Sequence, residues 1–151
     1  MIEDPRLTAL EATPIAFIRL TVPREDMPKV FGPAVGELIS AADRLVNGPV
    51  FAHHLSMDSK TFDFELGVPV SAPVAPSGRV EAGERPTTGV AQTIYHGPYD
   101  GLPAAWEEFH AWVKQSGRRW ASDIWECYLV HPDSEPDPAK WETQLNRPIL
   151  D

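Results

Sequence analysis

The chain of 151 residues is 42% hydrophobic, and its 22 Asp and Glu outnumber its 13 Lys and Arg, which gives a formal net charge of −9. This length fits one domain that buries a core without disulfides or metals. The acidic balance repels phosphate backbones and favours cationic partners, so direct nucleic-acid binding is not expected. A single Cys127 excludes an internal disulfide, residues 1–5 lack a signal-peptide pattern, and no apolar run reaches membrane-spanning length. The composition predicts a soluble, cytoplasmic protein.

The first half of the chain predicts a helix among strands. Alternating apolar and β-branched residues predict strands at 5–11, 15–22, 50–57 and 61–70. Apolar residues at helical spacing predict a helix over about 28–46, with Asp26 as its N-cap and residues 47–49 as its stop. Pro33 has no N–H to donate, so we expect it to distort the opening turns. A polar turn at 58–60 joins the last two strands.

The second half repeats this order of elements. Residues 69–86 are rich in Pro, Gly and Ala and predict a connector with a short strand near Val80. A helix over 102–116 is closed by Gly117. The predicted strands and loops are strands at 89–96, 122–131 and 141–150, a turn at 97–101 and a loop at 131–140.

Sliding the chain on itself by 74 residues brings the two halves into register, with Leu129 on Leu55. The same offset places Glu126 on Ala52 and Trp106 on the small Gly32. A half of this size buries little core alone, so the halves should pack as one unit. We predict one α+β domain over 1–151, with pseudo-repeats at about 5–70 and 78–150. Its antiparallel sheet would carry both helices on one face, with a ligand groove between them at a pseudo-twofold axis.

Glu126 is a carboxylate at the centre of an apolar, aromatic strand. Because side chains alternate along a strand, the two faces are Ile124, Glu126, Tyr128 and Val130 on one side and Trp125, Cys127 and Leu129 on the other. A carboxylate that loses hydration needs a partner or a proton. Two interpretations stay open: Glu126 reaches water at a sheet edge, or it receives a cationic or proton-exchanging ligand.

Aromatic side chains supply the walls of the predicted site. With Glu126, the candidate ligand-binding residues are Tyr128, Trp106, Phe109, Trp125, Phe51, His54, Tyr95 and Tyr99. Core packing is the alternative for each helical aromatic residue, and Trp106 is preferred because it falls near the start of its helix. His53 and His54 point to opposite faces of a strand and cannot chelate one ion together, and the other histidines lack ligand spacing. We therefore expect no metal and no cofactor, and a buried, inert Cys127.

Several short motifs in this order resemble the GyrI-like family, also called the effector-binding domain of AraC- and MerR-type transcription activators. They are His96-Gly97-Pro98-Tyr99, Ala105-Trp106, Trp125-Glu126-Cys127-Tyr128-Leu129, Pro136-Asp137, Trp141-Glu142-Thr143, Pro148 and Gly67-Val68-Pro69-Val70. The resemblance implies a small-molecule-binding domain with its pocket between paired helices and the sheet. It also implies that the acidic residue at Glu126 reaches toward lipophilic cations.

The resemblance leaves three functions open, because stand-alone relatives are linked to drug sequestration, to hydrolysis of cyclopropane-bearing genotoxins and to gyrase inhibition. No helix-turn-helix segment precedes Pro5, so we expect the stand-alone form, with a regulator or gyrase as the conceivable protein partner. Binding of a hydrophobic or cationic aromatic compound is favoured over turnover, since a buried charge alone is weak support for catalysis. In a hydrolase, Glu126 would be the general acid or base and Tyr128 would hold the substrate.

Overall fold

A computed structural model describes residues 2–57, 60–132 and 134–150, without the side chains of 56 and 57. The strands are β1 (Arg6–Leu10), β2 (Thr13–Pro23), β3 (Phe51–Met57), β4 (Thr61–Pro69), β5 (Glu81–Arg85), β6 (Thr88–His96), β7 (Ile124–Val130) and β8 (Glu142–Pro148). The helices are α1 (Met27–Ala42) and α2 (Leu102–Gln115), with 3₁₀ turns at Arg24–Asp26, Asp43–Leu45, Tyr99–Gly101 and Pro138–Lys140. These elements confirm the α+β class.

The chain divides into two compact units, which we name after one residue each. The Glu126 unit comprises Met1–Leu10 and Thr88–Asp151, and the Ala52 unit comprises Glu11–Thr87. Strands of the Glu126 unit pair antiparallel in the order β1-β6-β8-β7, and those of the Ala52 unit in the order β3-β4-β2-β5. The antiparallel pairing confirms that part of the predicted fold. The duplication, the shared helix face and the groove stay predictions.

Helix α1 contains Pro33 and ends earlier than its predicted bounds. It runs through Pro33 without a break, and the expected distortion of the opening turns stays a prediction. One missing N–H is tolerated because Ala34, Leu38 and Ala42 still bury one face of the helix. The helix also ends earlier than expected, since Asp43 adopts a positive φ of 49° and a 3₁₀ turn follows.

The connector between the two predicted halves contains the short strand that was predicted near Val80. β5 begins just after Val80, and its sequence Glu-Ala-Gly-Glu-Arg has little β propensity. Its antiparallel pairing with β2 over Glu81–Arg85 stabilises the strand, because backbone hydrogen bonds between strands do not depend on side-chain type. The turn predicted at 58–60 and the loop predicted at 131–140 lie in part outside the described residues.

Helix α2 covers the face of the Glu126 unit that carries the site. Its buried stripe of Ala105, Trp106, Phe109 and Val113 packs in one cluster with Ala91, Tyr95, Ile124 and Leu145 of the strands. Gly117 has a φ of +74° and follows the helix end, as its pattern predicts. Glu126 pairs with Leu145 across β7 and β8, and directly paired residues share a sheet face. The register therefore turns the Glu126 side chain toward α2.

Candidate functional site

Glu126 is buried, so the interpretation that it reaches water at a sheet edge is wrong. It is 8% exposed and lies within five consecutive buried residues of β7, from Ile124 to Tyr128. Burial on both faces of the strand removes most of the hydration of the carboxylate. A carboxylate in such surroundings requires hydrogen-bond donors from the protein.

Two aromatic side chains supply those donors, one for each oxygen. The indole Nε1–H of Trp106 donates to Oε2 of Glu126 over 2.7 Å, and the hydroxyl of Tyr128 donates to Oε1 over 2.9 Å. An indole N–H can only donate, so Oε2 acts as an acceptor here. Hydrogen bonds to a charged group contribute about 1.5–3 kcal/mol each. The carboxylate is thus held in one orientation by α2 and by its own strand.

Tyr128 is a permanent donor in this arrangement. Burial raises the pKa of its hydroxyl well above 10, and the negative charge and hydrogen bond of Glu126 raise that pKa further. The phenol therefore keeps its proton at any physiological pH. A group that holds its proton so firmly suits hydrogen bonding and is a poor proton donor to a substrate.

Further rings extend from this pair within the Glu126 unit. Tyr99, on the turn before α2, meets Tyr128 edge-on with ring centroids 5.9 Å apart, and its other neighbour is Trp141 at 5.0 Å. Trp106 packs against Phe109 at 5.7 Å. The Trp141 Nε1–H donates to the Glu135 carbonyl over 2.7 Å, which fixes that indole. The carboxylate therefore adjoins a continuous aromatic cluster.

Tyr95 packs under the turn that carries Tyr99. Its hydroxyl donates to the Pro98 carbonyl over 2.8 Å, and burial, then the charge of Asp100, raise the pKa of that hydroxyl. A side chain at Gly101 would collide with the same hydroxyl, so only glycine fits there. Tyr95 thereby shapes the turn that presents Tyr99.

Three further predicted wall residues make other contacts. Trp125 is buried on the face of β7 opposite to Glu126, where its register partner is Asn146. Phe51 and His54 belong to β3 of the Ala52 unit, Phe51 against Gly67 and His54 between the rings of Phe62 and Phe64. The structure brings together Glu126, Tyr128, Trp106, Phe109 and Tyr99 in one unit. A role for the other wall residues in binding stays a prediction.

Two neighbours of the site were missed as site residues. From the sequence, Trp141 was assigned only to a family motif. A Trp at the start of the strand that pairs with β7 could have indicated a residue of the site. Thr143 pairs directly with Tyr128 and is fully buried, and its Oγ1 has no hydrogen-bond partner among the described residues. No spacing in the sequence signals this threonine, because its position depends on the register of β7 and β8.

Within residues 2–57, 60–132 and 134–150, no group of three His, Cys, Asp or Glu side chains is arranged to hold a metal ion. Cys127 is buried, with its sulfur 3.9 Å from the Asn146 amide nitrogen. No helix in the described part of the chain has the length and apolar character needed to cross a membrane.

The Glu126 unit thus contains a carboxylate fixed by two aromatic donors beside further aromatic rings. Residues 3–149 match the GyrI-like small molecule binding domain. The chain belongs to this GyrI-like family. No curated protein sequence matches this chain.

Solved structures with the same fold are similar to this chain at low sequence identity. The EcmrR C-terminal domain has a TM-score of 0.87 and 21% identity, covering 98% of both chains. The chain spans 57% of the EcmrR polypeptide in its complex with DNA. SAV2435 bound to tetraphenylphosphonium has a TM-score of 0.72 and 12% identity, covering 98% of this chain and 94% of that one. A hydrolase encoded by lin2189 from Listeria innocua has a TM-score of 0.69 and 15% identity, covering 97% and 91%.

Proposed function

We propose that this protein captures lipophilic aromatic cations at Glu126 and that its task is drug or toxin binding or sequestration. The observation that carries the proposal is the buried Glu126 carboxylate with an aromatic donor on each oxygen. Such a site suits a delocalised cation, because the carboxylate supplies the counter-charge and the rings supply cation–π contact. The net charge of −9 adds a long-range attraction for cations.

Entry of a ligand requires movement, since so little of Glu126 is exposed. Tyr99 and Trp141 are partly exposed and stack on each other beside Tyr128. We infer that these two rings part to admit the ligand and then contact its aromatic groups. Capture would exchange contact between the two rings for contact with the ligand.

The same proposal includes the architecture of the protein. We propose a stand-alone cytoplasmic protein that forms a single domain of two duplicated halves. A groove between its helices would have Phe51, His54, Tyr95 and Trp125 as further walls. The bound tetraphenylphosphonium of SAV2435 supports the ligand class, because that ligand is an aromatic cation. The fold shared with the EcmrR C-terminal domain is consistent with a unit that also occurs inside longer chains.

Hydrolysis of strained electrophiles, such as cyclopropane-bearing compounds, is the second candidate. A carboxylate beside a hydroxyl favours it, and so does the fold shared with the Listeria innocua hydrolase. Glu126 would act as general acid or base. The raised pKa of Tyr128 restricts that residue to holding the substrate, which leaves one proton-transferring group and makes binding the better supported function. Gyrase inhibition ranks third, because the acidic residues are spread along the chain without a dense block.

The test uses two probes of nearly equal shape and opposite charge, tetraphenylphosphonium and tetraphenylborate. Calorimetry should show micromolar affinity for the cation, about −8 kcal/mol, and much weaker binding of the anion. Glu126→Gln should lower the affinity for the cation by roughly tenfold or more, because the amide keeps the shape and removes the charge.

The matched control is Glu108→Gln, which makes the same charge change at an exposed position of α2. That variant should alter cation affinity by less than about twofold, since exposed charges are screened. Equal losses in the two variants would show that net charge attracts the cation and would remove Glu126 from the site. For the hydrolase candidate, turnover undiminished in Glu126→Gln would exclude Glu126 from the mechanism.

A further inference from the structure

Two further rings of α2 pack against the Trp106 indole. His110 follows Trp106 by one helical turn, and their ring centroids are 5.1 Å apart at an interplanar angle of 41°. Phe109 contacts the same indole at 5.7 Å. The indole that donates to Glu126 is therefore flanked by two rings of its own helix.

The protonation state of His110 follows from its other neighbour. Arg147 Nη1 of β8 lies 2.7 Å from His110 Nε2. A guanidinium has donors and no acceptor, so the imidazole nitrogen must accept and the ring must be neutral, with its proton on Nδ1. Burial and the charge of Arg147 lower the pKa of His110 from 6.5 to about 4, in agreement with that geometry.

Arg147 is itself anchored. Its Nε donates to the Ala121 carbonyl over 2.8 Å, in the segment just before β7, and its guanidinium lies 5.8 Å from the Trp120 ring. The arginine thus connects β8, the approach to the Glu126 strand and the middle of α2. Its partial burial lowers its own pKa, while the charge of Asp123 opposes that shift.

We propose that His110 is a positioning residue for the Glu126 site: held by Arg147, it fixes the Trp106 indole at the angle at which Nε1–H reaches Glu126. The step from geometry to ligand affinity rests on the proposed function, whereas the positioning itself does not. Without the imidazole, the indole gains freedom to rotate about its side-chain bonds, and the carboxylate loses a fixed donor. A binding site that must be ordered when the ligand arrives binds more weakly.

The experiment follows the Trp106 indole N–H by NMR in the ligand-free full chain, with Trp106→Phe to assign the resonance. In the wild type this proton should lie downfield and exchange slowly with water, because it donates to a buried carboxylate. His110→Ala should return it toward the free-indole position and speed its exchange. His110→Phe, which restores a ring but cannot accept a hydrogen bond from Arg147, should recover only part of the protection. An unchanged indole signal in His110→Ala would overturn the proposal.

Two further measurements complete the test. Arg147→Met should raise the pKa of His110 above its value of about 4, since a nearby positive charge is removed, and an unmoved pKa would exclude Arg147 as the anchor. Tetraphenylphosphonium should bind His110→Ala about fivefold more weakly than the wild type, with partial recovery in His110→Phe. If the wild type itself fails to bind this cation, the proposed function fails, while the ligand-free NMR comparison still decides the role of His110.

Discussion

The Glu126 unit and the Ala52 unit have the same order of strand, helix, strand and strand, but opposite chemistry at the positions that the 74-residue offset aligns. In the Ala52 unit the buried face of α1 is small and aliphatic, and Ala52 itself is fully buried on β3. In the Glu126 unit the buried face of α2 carries Trp106 and Phe109, and β7 carries the carboxylate. The Glu126 unit holds the candidate site, whereas the Ala52 unit has only apolar residues at these positions.

The difference teaches that the carboxylate and its indole donor occur as a pair. Ala52 stands at the position aligned with Glu126, and the buried residues of α1 are Ala34, Leu38 and Ala42, so the Ala52 unit lacks both the carboxylate and the indole donor at these positions. Either partner alone would be a buried polar group without its match, at a cost of about 1–3 kcal/mol.

Moving the carboxylate alone into the Ala52 unit should have the largest effect. Ala52→Glu places a charge at a fully buried position, and the buried residues of α1 carry no side-chain donor, so we expect a loss of about 3–5 kcal/mol in the free energy of unfolding. Denaturant unfolding measures this loss. Ala52→Gln is the control of equal size, and it should be less harmful at neutral pH. Identical losses for both variants would show that size, not charge, sets the cost.

Removing only the indole N–H should have the next largest effect. Trp106→Phe keeps a ring and deletes the donor to Glu126, so the free energy of unfolding should fall by about 1–3 kcal/mol. In a Glu126→Leu background the same change should cost much less, because no carboxylate remains to be satisfied. Trp112→Phe, at the edge of the same core, is the matched control for loss of indole volume. A coupling energy near zero would contradict the pairing of Trp106 with Glu126.

The smallest expected change in the free energy of unfolding comes from replacing Thr143 or Thr93 by valine. Both are buried in the Glu126 unit, but Thr93 Oγ1 donates to the Glu3 carbonyl over 2.7 Å, whereas Thr143 Oγ1 has no partner among the described residues. Thr143→Val should therefore stabilise the protein by about 1 kcal/mol, and Thr93→Val should destabilise it by a similar amount. Thermal or denaturant unfolding of the two variants measures both signs. Destabilisation by Thr143→Val would show that its hydroxyl is satisfied in solution.

The core of the site was predictable because each step used a local rule. Glu126 stood out as a carboxylate among aromatic and β-branched residues, and strand alternation placed Tyr128 on its face. The position of Trp106 at the start of a helical stripe made it the preferred aromatic partner. These inferences needed only the period of a strand or a helix, which the sequence displays directly.

The remaining contacts depended on register, which local rules do not fix. His110 meets Arg147 only because α2 lies over the face of β8 that carries this arginine. Thr143 faces Tyr128 through strand pairing alone. The bounds of β5 depend on register too, since the strand is ordered by its ladder with β2 rather than by its own residues. Helix α1 continues through Pro33, because tertiary packing can preserve a helix that local chemistry disfavours.

The most direct test of the Glu126 site is a crystal structure of the protein soaked with tetraphenylphosphonium. We expect the phosphorus centre within about 6 Å of the Glu126 carboxylate, and phenyl groups against Tyr99, Tyr128 or Trp141. We also expect Tyr99 and Trp141 to have parted from their 5.0 Å stacking. A cation bound elsewhere, with the Glu126 carboxylate making no contact to it, would contradict the assignment of this carboxylate as the ligand's counter-charge.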